Sequence, residues 1–285
     1  MLKFKEQPED FIVEEVINFK KTKGDYNYYT LEKKNYNTLD AISEIADELK
    51  INRNRINFAG LKDRNAITKQ YISIYKYQIK ELNLKDIKLK FIATSDKPVS
   101  PHNIKENKFI IVIRNVKNKK KVKIKSIENY FDEQRFSKNN AEIGKLITKK
   151  DYKRAEILLE QPLETIDKRL IKFYVNSYQS YLFNLVLDQY KKSEKIPLLN
   201  FDTKFKDKKI KEIYERIMRE EGISQNDFIN KRFPFIVSET VYRPSIIKVK
   251  NFKLKYEGSN AILSFSLPPS SYATLVIKKY INLVE

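Results

Sequence analysis

Residues 60–70 read Gly-Leu-Lys-Asp-Arg-Asn-Ala-Ile-Thr-Lys-Gln, a stretch that places one acid between two cations. An aspartate between Lys62 and Arg64 stays ionised at physiological pH, because neighbouring positive charge favours the carboxylate. An ionised carboxylate is what a nucleophilic acid requires. Taken alone, however, Asp63 beside Gly60 fits a second role better, since aspartate commonly closes a turn.

Short strands are predicted on both sides of this stretch. Residues 58–60 and 71–75 have the apolar and aromatic pattern of strands. Asp63 is therefore predicted on the loop between them, where an exposed acid can meet a substrate.

The pattern upstream predicts a strand pair and a helix. Residues 9–17 and 26–32 are interpreted as strands joined by a hairpin through residues 20–24. Thr38 is predicted to be the N-cap of an amphipathic helix that ends near Lys50.

Downstream, strands and helices alternate irregularly. The nearly unbroken apolar run at residues 108–116 predicts a strand buried on both faces, and a short helix is predicted to end near Tyr130. Further helices are predicted at residues 141–147, 152–159, 166–187 and 208–221, and further strands at residues 253–256 and 261–267. Because no regular βαβ repeat is visible, the predicted fold class is α+β rather than a doubly wound sheet.

The composition narrows the class of partner. Lys and Arg number 57 against 37 Asp and Glu, a net charge of +20, which favours a polyanionic partner such as nucleic acid. Three basic segments are candidate phosphate contacts as a group, although such runs are more often solvated loops. They are residues 117–125, residues 204–211 and the pair Lys231-Arg232.

Several function classes are excluded by what the sequence lacks. Without cysteine, disulfides, thiolate catalysis and Cys-ligated zinc are impossible, and the lone His102 cannot form a histidine metal site by itself. No segment approaches the roughly 20 apolar residues of a spanning helix, and no apolar run follows Met1. These features predict a cytoplasmic protein that uses no metal and no membrane.

Five segments along the chain carry motifs in a fixed order. They are residues 5–15, 58–70, 129–136, 177–184 and 265–274. This series resembles the TruD family of pseudouridine synthases, and the resemblance covers most of the chain. It implies an α+β pseudouridine-synthase fold, with a mixed, mostly antiparallel sheet flanked by helices. It also implies a catalytic domain at residues 1–190 and 245–285, with a small, shortened insertion lobe at residues 191–244.

The same resemblance assigns the reacting groups. It makes Asp63 the catalytic acid, acting by attack on the sugar of a target uridine or by removal of a sugar proton. It makes Lys5 a basic neighbour that keeps Asp63 ionised and oriented; the alternative is an exposed lysine near the terminus. Phe11 would face the uracil, where an aromatic ring can stack on a flipped base; the alternative is a core position in its strand.

Three further residues are implied to contact the base. Asn129 would bond to the uracil edge or else cap a helix. Phe131 would stack on the base or else belong to the core, and Tyr272 would close the pocket from the far end of the chain. Asp132 and Ser137 stand where the family usually has glycine, so the loop is expected to lack two residues that tolerate positive φ.

The predicted activity is therefore isomerisation of a uridine to pseudouridine in RNA, with tRNA as the expected substrate, by a monomeric enzyme that needs no cofactor. The alternative, from a different class, is a noncatalytic RNA-binding protein or RNA chaperone on the same fold. Asp63 discriminates between the two, since a pure binder gains nothing from an acid among phosphate contacts.

Overall fold

A computed structural model of the chain describes residues 2–285 and contains fourteen strands and six α-helices in that range. The strands are β1 (Lys3–Phe4), β2 (Phe11–Ile17), β3 (Tyr26–Lys34), β4 (Ile56–Phe58), β5 (Ile67–Tyr75), β6 (Glu81–Leu84), β7 (Ile87–Ser95), β8 (Ile104–Arg114), β9 (Ser126–Glu128), β10 (Lys195–Pro197), β11 (Tyr242–Pro244), β12 (Ile246–Lys248), β13 (Lys250–Glu257) and β14 (Asn260–Leu267). The helices are α1 (Thr38–Glu48), α2 (Asn140–Thr148), α3 (Tyr152–Leu159), α4 (Lys168–Gln189), α5 (Lys208–Glu221) and α6 (Ala273–Val284).

The chain divides into two compact units. The first consists of the residues up to Lys125 together with Lys248–Glu285, and the second is Ser126–Ile247. The predicted insertion lobe at residues 191–244 lies within the second unit, and its assignment as an insertion stays a prediction.

A ten-stranded sheet forms the framework of the first unit. Its main path runs β13-β14-β8-β2-β5-β3-β7-β6, with β1 paired to β8 and β4 paired to β5. Only the β2–β5 pair is parallel among the strand pairs of this sheet that the structure describes. The α+β class and the mixed, mostly antiparallel sheet are thus confirmed.

The predicted hairpin between β2 and β3 is wrong, because β5 lies between these two strands. Ile67 pairs with Ile12 of β2 on one side and with Lys34 of β3 on the other. Local sequence cannot reveal that a strand much later in the chain takes the central place. The consequence for the site is direct, since β5 begins immediately after the Asp63 loop and anchors that loop near the middle of the sheet.

The start of α1 also differs from the prediction. The N-cap is Asn37, whose Oδ1 atom accepts a hydrogen bond of 2.8 Å from the backbone N–H of Asp40. Thr38 is the first helical residue and is buried. Its hydroxyl is thereby free to serve the neighbouring loop.

Two predictions about the middle of the chain are wrong. Strand β8 alternates between buried and exposed side chains, with Ile110 exposed and Ile111 buried, so only one of its faces is covered along its length. The segment before Tyr130 forms the short strand β9, which pairs with β12, rather than a helix. In both places tertiary pairing overrides the local pattern.

Apolar cores lie beneath the helices of each unit. In the first unit, Ile42 and Ile45 of α1 pack with Leu31 and Ile72 of the sheet in one buried cluster. In the second, the buried face of α4 joins residues of α2 and α5 in a larger cluster. The predicted helices at residues 152–159 and 208–221 match α3 and α5.

Candidate active site

The loop that carries Asp63 is tied down by a buried hydrogen-bond relay. The Oγ1 atom of Thr38 accepts from the backbone N–H of Lys62 at 2.9 Å and donates to the Oε1 atom of Gln70 at 3.0 Å. Gln70 in turn donates from Nε2 to the carbonyl oxygen of Gly60 at 3.2 Å. Both arms of the loop are therefore held, while the side chain of Asp63 stays 43% exposed.

A lysine from the N-terminal segment reaches this carboxylate. The Nζ atom of Lys5 lies 2.8 Å from the Oδ2 atom of Asp63, and the Lys5 side chain is 17% exposed. The Nδ2 atom of Asn65 donates to the carbonyl oxygen of Lys5 at 2.8 Å, so the backbone of the N-terminal segment is bound to the same loop. This arrangement leaves the acid accessible and gives it a fixed cationic partner.

The two cations adjacent in sequence behave differently from the expectation. Lys62 turns inward, and its Nζ atom lies 2.6 Å from the Oε1 atom of the fully buried Glu15. The other carboxylate oxygen of Glu15 accepts from the backbone N–H of Tyr71 at 3.1 Å. Arg64 is exposed. The direct ionic partner of Asp63 is therefore Lys5, supplied across the fold, and Lys62 serves a structural ion pair.

The sequence reasoning missed a second lysine at this site, Lys33 of β3. Lys33 is only 1% exposed, and its ammonium donates to the carbonyl oxygens of Tyr36 and, at 3.0 Å, of Asp63. Burial lowers the pKa of Lys33 to about 8, and nearby Lys62 acts in the same direction while Asp63 opposes it. A signal was present, because alternation along β3 places Lys33 on the same buried face as Leu31.

Phe11 lies beside these groups, but its ring is covered. It is 3% exposed, with the Nζ atom of Lys5 at 3.9 Å from the ring centroid and an edge-to-face contact with Phe109 at 6.1 Å. The structure thus brings Lys5, Phe11 and Asp63 together. Contact between Phe11 and a uracil base stays a prediction.

Tyr272 belongs to the same unit as Asp63 and stands immediately before α6. It is half-buried, and its carbonyl oxygen accepts from the backbone N–H of Leu275 at 3.2 Å. Its predicted place in a uridine pocket stays a prediction.

Asn129 and Phe131 belong to the second unit and share a buried arginine there. Asn129 is 2% exposed, and its side chain donates to the carbonyl oxygen of Pro244 at 2.9 Å and accepts from Arg243 at 2.6 Å. The guanidinium carbon of Arg243 lies 4.1 Å from the centroid of the Phe131 ring. The side chain of Asn184 accepts from the backbone N–H of Phe131 and donates to its carbonyl oxygen, each at 2.9 Å. Arg243 is thus a further residue that the sequence reasoning did not single out.

The loop after Phe131 does not need the missing glycines. Asp132 has φ −83° and ψ 163°, which is ordinary extended backbone, and Ser137 is outside the residues with positive φ. The left-handed positions fall instead at Lys138 and Asn139. Neither residue 132 nor residue 137 therefore adopts the positive φ that would favour glycine.

The basic segments differ in how they are held. The segment at residues 117–125 follows a fixed path, because Asn118 donates to the carbonyl oxygen of Val284 at 3.1 Å and the Tyr256 hydroxyl donates to that of Lys120 at 2.7 Å. In the second unit, the guanidinium of Arg232 forms ion pairs with two glutamates and lies 4.6 Å from the Tyr152 ring centroid. The guanidinium of Arg232 is thus held by contacts within the fold.

The described residues contain neither a candidate metal site nor a membrane-spanning helix. Among residues 2–285, no three His, Asp or Glu side chains are grouped so that they could hold a metal ion. None of the helices in this range combines the length and apolar character that crossing a membrane requires.

A family profile described as "tRNA pseudouridine synthase D (TruD)" matches residues 2–162 and 188–280. The chain therefore belongs to the TruD family. The fold agrees, since a crystal structure titled as the putative tRNA pseudouridine synthase D from Methanosarcina mazei superposes with a TM-score of 0.75 at 23% identity, covering 98% of this chain and 93% of the other.

Sequence relatives extend over nearly the whole chain. The tRNA pseudouridine synthase D of Aquifex aeolicus is 28% identical over 375 aligned positions, which cover 98% of this chain and 97% of the relative. The probable tRNA pseudouridine synthase D 2 of Methanocaldococcus jannaschii is 30% identical, covering 98% of this chain and 91% of the relative. The first alignment has 375 positions and this chain has 285 residues, so at least 90 positions of the alignment carry no residue of this chain.

Proposed function

We propose that the protein is a tRNA pseudouridine synthase that isomerises a uridine with Asp63 as its catalytic carboxylate. The observation that carries this proposal is the ion pair between Lys5 and Asp63 on an exposed, anchored loop. Membership of the TruD family and the names of the relatives support the choice of reaction and of substrate.

The chemistry needs no consumed co-reactant. The N1–C1′ bond of the uridine breaks, the uracil turns, and C5 bonds to C1′, while the C5 proton is lost and N1 regains a proton. Asp63 acts either by attacking the sugar at C1′ or by removing a sugar proton, and each route requires the ionised carboxylate. Lys5 donates to the Oδ2 atom of Asp63 and so fixes the direction of the carboxylate.

The target uridine must leave its stack to meet such a carboxylate. We assign the uracil contacts to Phe11, Asn129, Phe131 and Tyr272 on the strength of their family motifs. The net charge of +20 suits a polyanionic substrate. We further propose that the enzyme is cytoplasmic and monomeric and that its insertion lobe at residues 191–244 is shortened. At least 90 positions of the Aquifex alignment carry no residue of this chain, which supports a shorter insertion.

Asp63→Asn tests the proposal, because the amide keeps the size and removes the charge. Purified protein in excess over unmodified tRNA should convert one uridine in a single turnover, mapped by carbodiimide adducts and primer extension. Asp63→Asn should abolish the product while tRNA affinity stays equal or improves slightly. The matched control is Asp86→Asn, an exposed turn residue at φ 61°, which should behave like the wild type. Substantial pseudouridine formation by Asp63→Asn would contradict the assignment of Asp63 as the catalytic carboxylate. If the wild type formed no pseudouridine, the result would favour a noncatalytic RNA-binding protein.

A further inference from the structure

Lys33 occupies a position that packing alone would give to an apolar residue. It follows Tyr29 and Leu31 on the buried face of β3, and all three side chains are at most 1% exposed. Removing an ammonium from water costs several kcal/mol unless it is paired and hydrogen-bonded. A lysine in this place therefore needs an electrostatic reason.

The hydrogen bonds of Lys33 point to that reason. Its Nζ atom donates to the carbonyl oxygen of Asp63 at 3.0 Å and to that of Tyr36, which precedes α1. One ammonium thus ties the main chain of Asp63 to the start of the helix whose Thr38 holds the adjoining loop residue. Its positive charge lies next to the residue whose carboxylate must stay ionised.

We propose that Lys33 is a positioning residue of the isomerisation, which fixes the main chain of Asp63 through a charge-assisted hydrogen bond to its carbonyl oxygen. This inference rests on the proposed function. Lys33 contacts neither substrate nor reacting atoms in this role, because its ammonium is directed at carbonyl oxygens.

The charged neighbours of Lys33 come mainly from the Asp63 loop. Burial and, to a smaller extent, Lys62 lower the pKa of Lys33, and together they outweigh the opposing effect of Asp63 and bring the value to about 8. Lys62 is itself paired with Glu15, and Lys5 pairs with the side-chain carboxylate of Asp63 rather than with its carbonyl oxygen. Across the sheet, Lys33 faces uncharged partners, Thr68 of β5 and Ile87 of β7.

The proposal therefore predicts a pH dependence that a purely structural lysine would not produce. Above about pH 8 Lys33 loses its proton, the positive charge beside Asp63 disappears, and the remaining amine is a weaker donor. The single-turnover rate should then fall to a plateau roughly 10- to 100-fold below its value at neutral pH, whereas tRNA affinity should change little. Lys33 is buried in the sheet and is not a surface phosphate contact.

The test measures single-turnover rates and tRNA affinities from pH 6 to pH 10. Lys33→Met should lower the rate at pH 7 by roughly 10- to 100-fold without changing affinity, and its alkaline fall should vanish. Lys33→Arg keeps the charge and should move the alkaline fall up by at least one pH unit. The control Lys34→Met removes the exposed neighbour that pairs with Glu9 and should keep the wild-type profile. A profile of Lys33→Met that coincides with that of the wild type overturns the proposal.

If the Lys33 variants fail to fold, a measurement on the wild type still tests the proposal. Lysine side-chain NMR should show one resonance that titrates at the pH where the rate falls. If a Lys33 variant folds, the absence of this resonance from its spectrum assigns it to Lys33. If no variant folds, the contact of Lys33 with Tyr36 assigns it. A Lys33 titration above pH 10 overturns the inference while wild-type activity still supports the proposed function. A wild type without activity at any pH would instead refute the proposed function.

Discussion

The Nζ atom of Lys5 lies 2.8 Å from the Oδ2 atom of Asp63, although 58 positions separate the two residues in the chain. The contact joins the segment before β2 to the loop before β5, and these two strands are the parallel pair of the sheet. A parallel pair brings the starts of both strands to the same edge. The sheet topology thus explains why an N-terminal lysine can serve this acid.

Lys5→Met should therefore reduce catalysis with little effect on tRNA binding. A charge-assisted hydrogen bond contributes about 1.5–3 kcal/mol, so we expect a fall of roughly 10- to 100-fold in the single-turnover rate. The control is Lys3→Met, an exposed lysine that pairs with Glu6. Equal rates for the wild type and Lys5→Met would show that Lys5 is only a surface cation.

Asp10 should control stability at acid pH. Burial by itself would raise the pKa of Asp10, but hydrogen bonds from Arg114 and from two backbone N–H groups lower it below its usual value. The unfolded chain therefore binds a proton more readily, so this stabilisation is full above the ordinary aspartate pKa and disappears as the pH falls through the lowered one.

The variant Asp10→Asn should lose about 3 kcal/mol of unfolding free energy at pH 7, because it leaves Arg114 without its carboxylate. Its stability should also fall less steeply than that of the wild type below pH 4. Urea unfolding at several pH values measures both effects. Asp25→Asn, which removes an exposed pair with Lys76, should change stability by less than about 0.5 kcal/mol.

Binding to tRNA should depend steeply on salt, since each neutralised phosphate releases counterions. Lys119, Lys121 and Lys123 are exposed on the segment whose path Asn118 and Tyr256 fix. Changing all three to Gln should flatten the slope of log affinity against log salt by up to about 0.9 for each phosphate that these lysines neutralise. A slope equal to that of the wild type would identify this segment as a solvated loop.

The sequence predicted those parts of the structure whose causes are local. The helix at residues 208–221 has strong amphipathic spacing and a capping Asp207, and it was predicted to the residue. The hairpin after β2 was wrong because strand order depends on β5, which enters later in the chain. Likewise, the pattern placed Asp63 on its loop, but it did not show that Lys62 turns inward to Glu15.

For the site residues, too, the local sequence pattern predicted positions but not partners. Lys5 and Asp63 were paired through a family resemblance rather than through any periodicity, whereas Lys33 and Glu15 were overlooked although each stands at an inward position of its strand. A charged residue at an apolar position of a predicted strand was the available signal. Such a residue needs a partner, and here the partners are all in or beside the Asp63 loop.

Thr68 provides the last prediction, because its hydroxyl is buried and unsatisfied. Thr68 is fully buried, and its Oγ1 atom has no hydrogen-bond partner within residues 2–285. In the sheet it stands directly opposite Lys33, so the two side chains share a face. An unsatisfied buried hydroxyl costs about 1–3 kcal/mol, and a protein retains such a cost most readily where function uses the group.

Thr68→Val should consequently raise the stability of the protein and lower its activity. The isosteric methyl group removes the unsatisfied hydroxyl, so the unfolding free energy should rise by about 1 kcal/mol and Tm by about 2 °C. The single-turnover rate should nevertheless fall several-fold, because the hydroxyl would no longer be available to Lys33, which stands opposite it in the sheet. Thr30→Val, on β3 with a half-buried side chain, serves as the matched control and should change neither quantity appreciably. A Thr68→Val protein that is more stable and fully active would show that the hydroxyl has no part in the reaction.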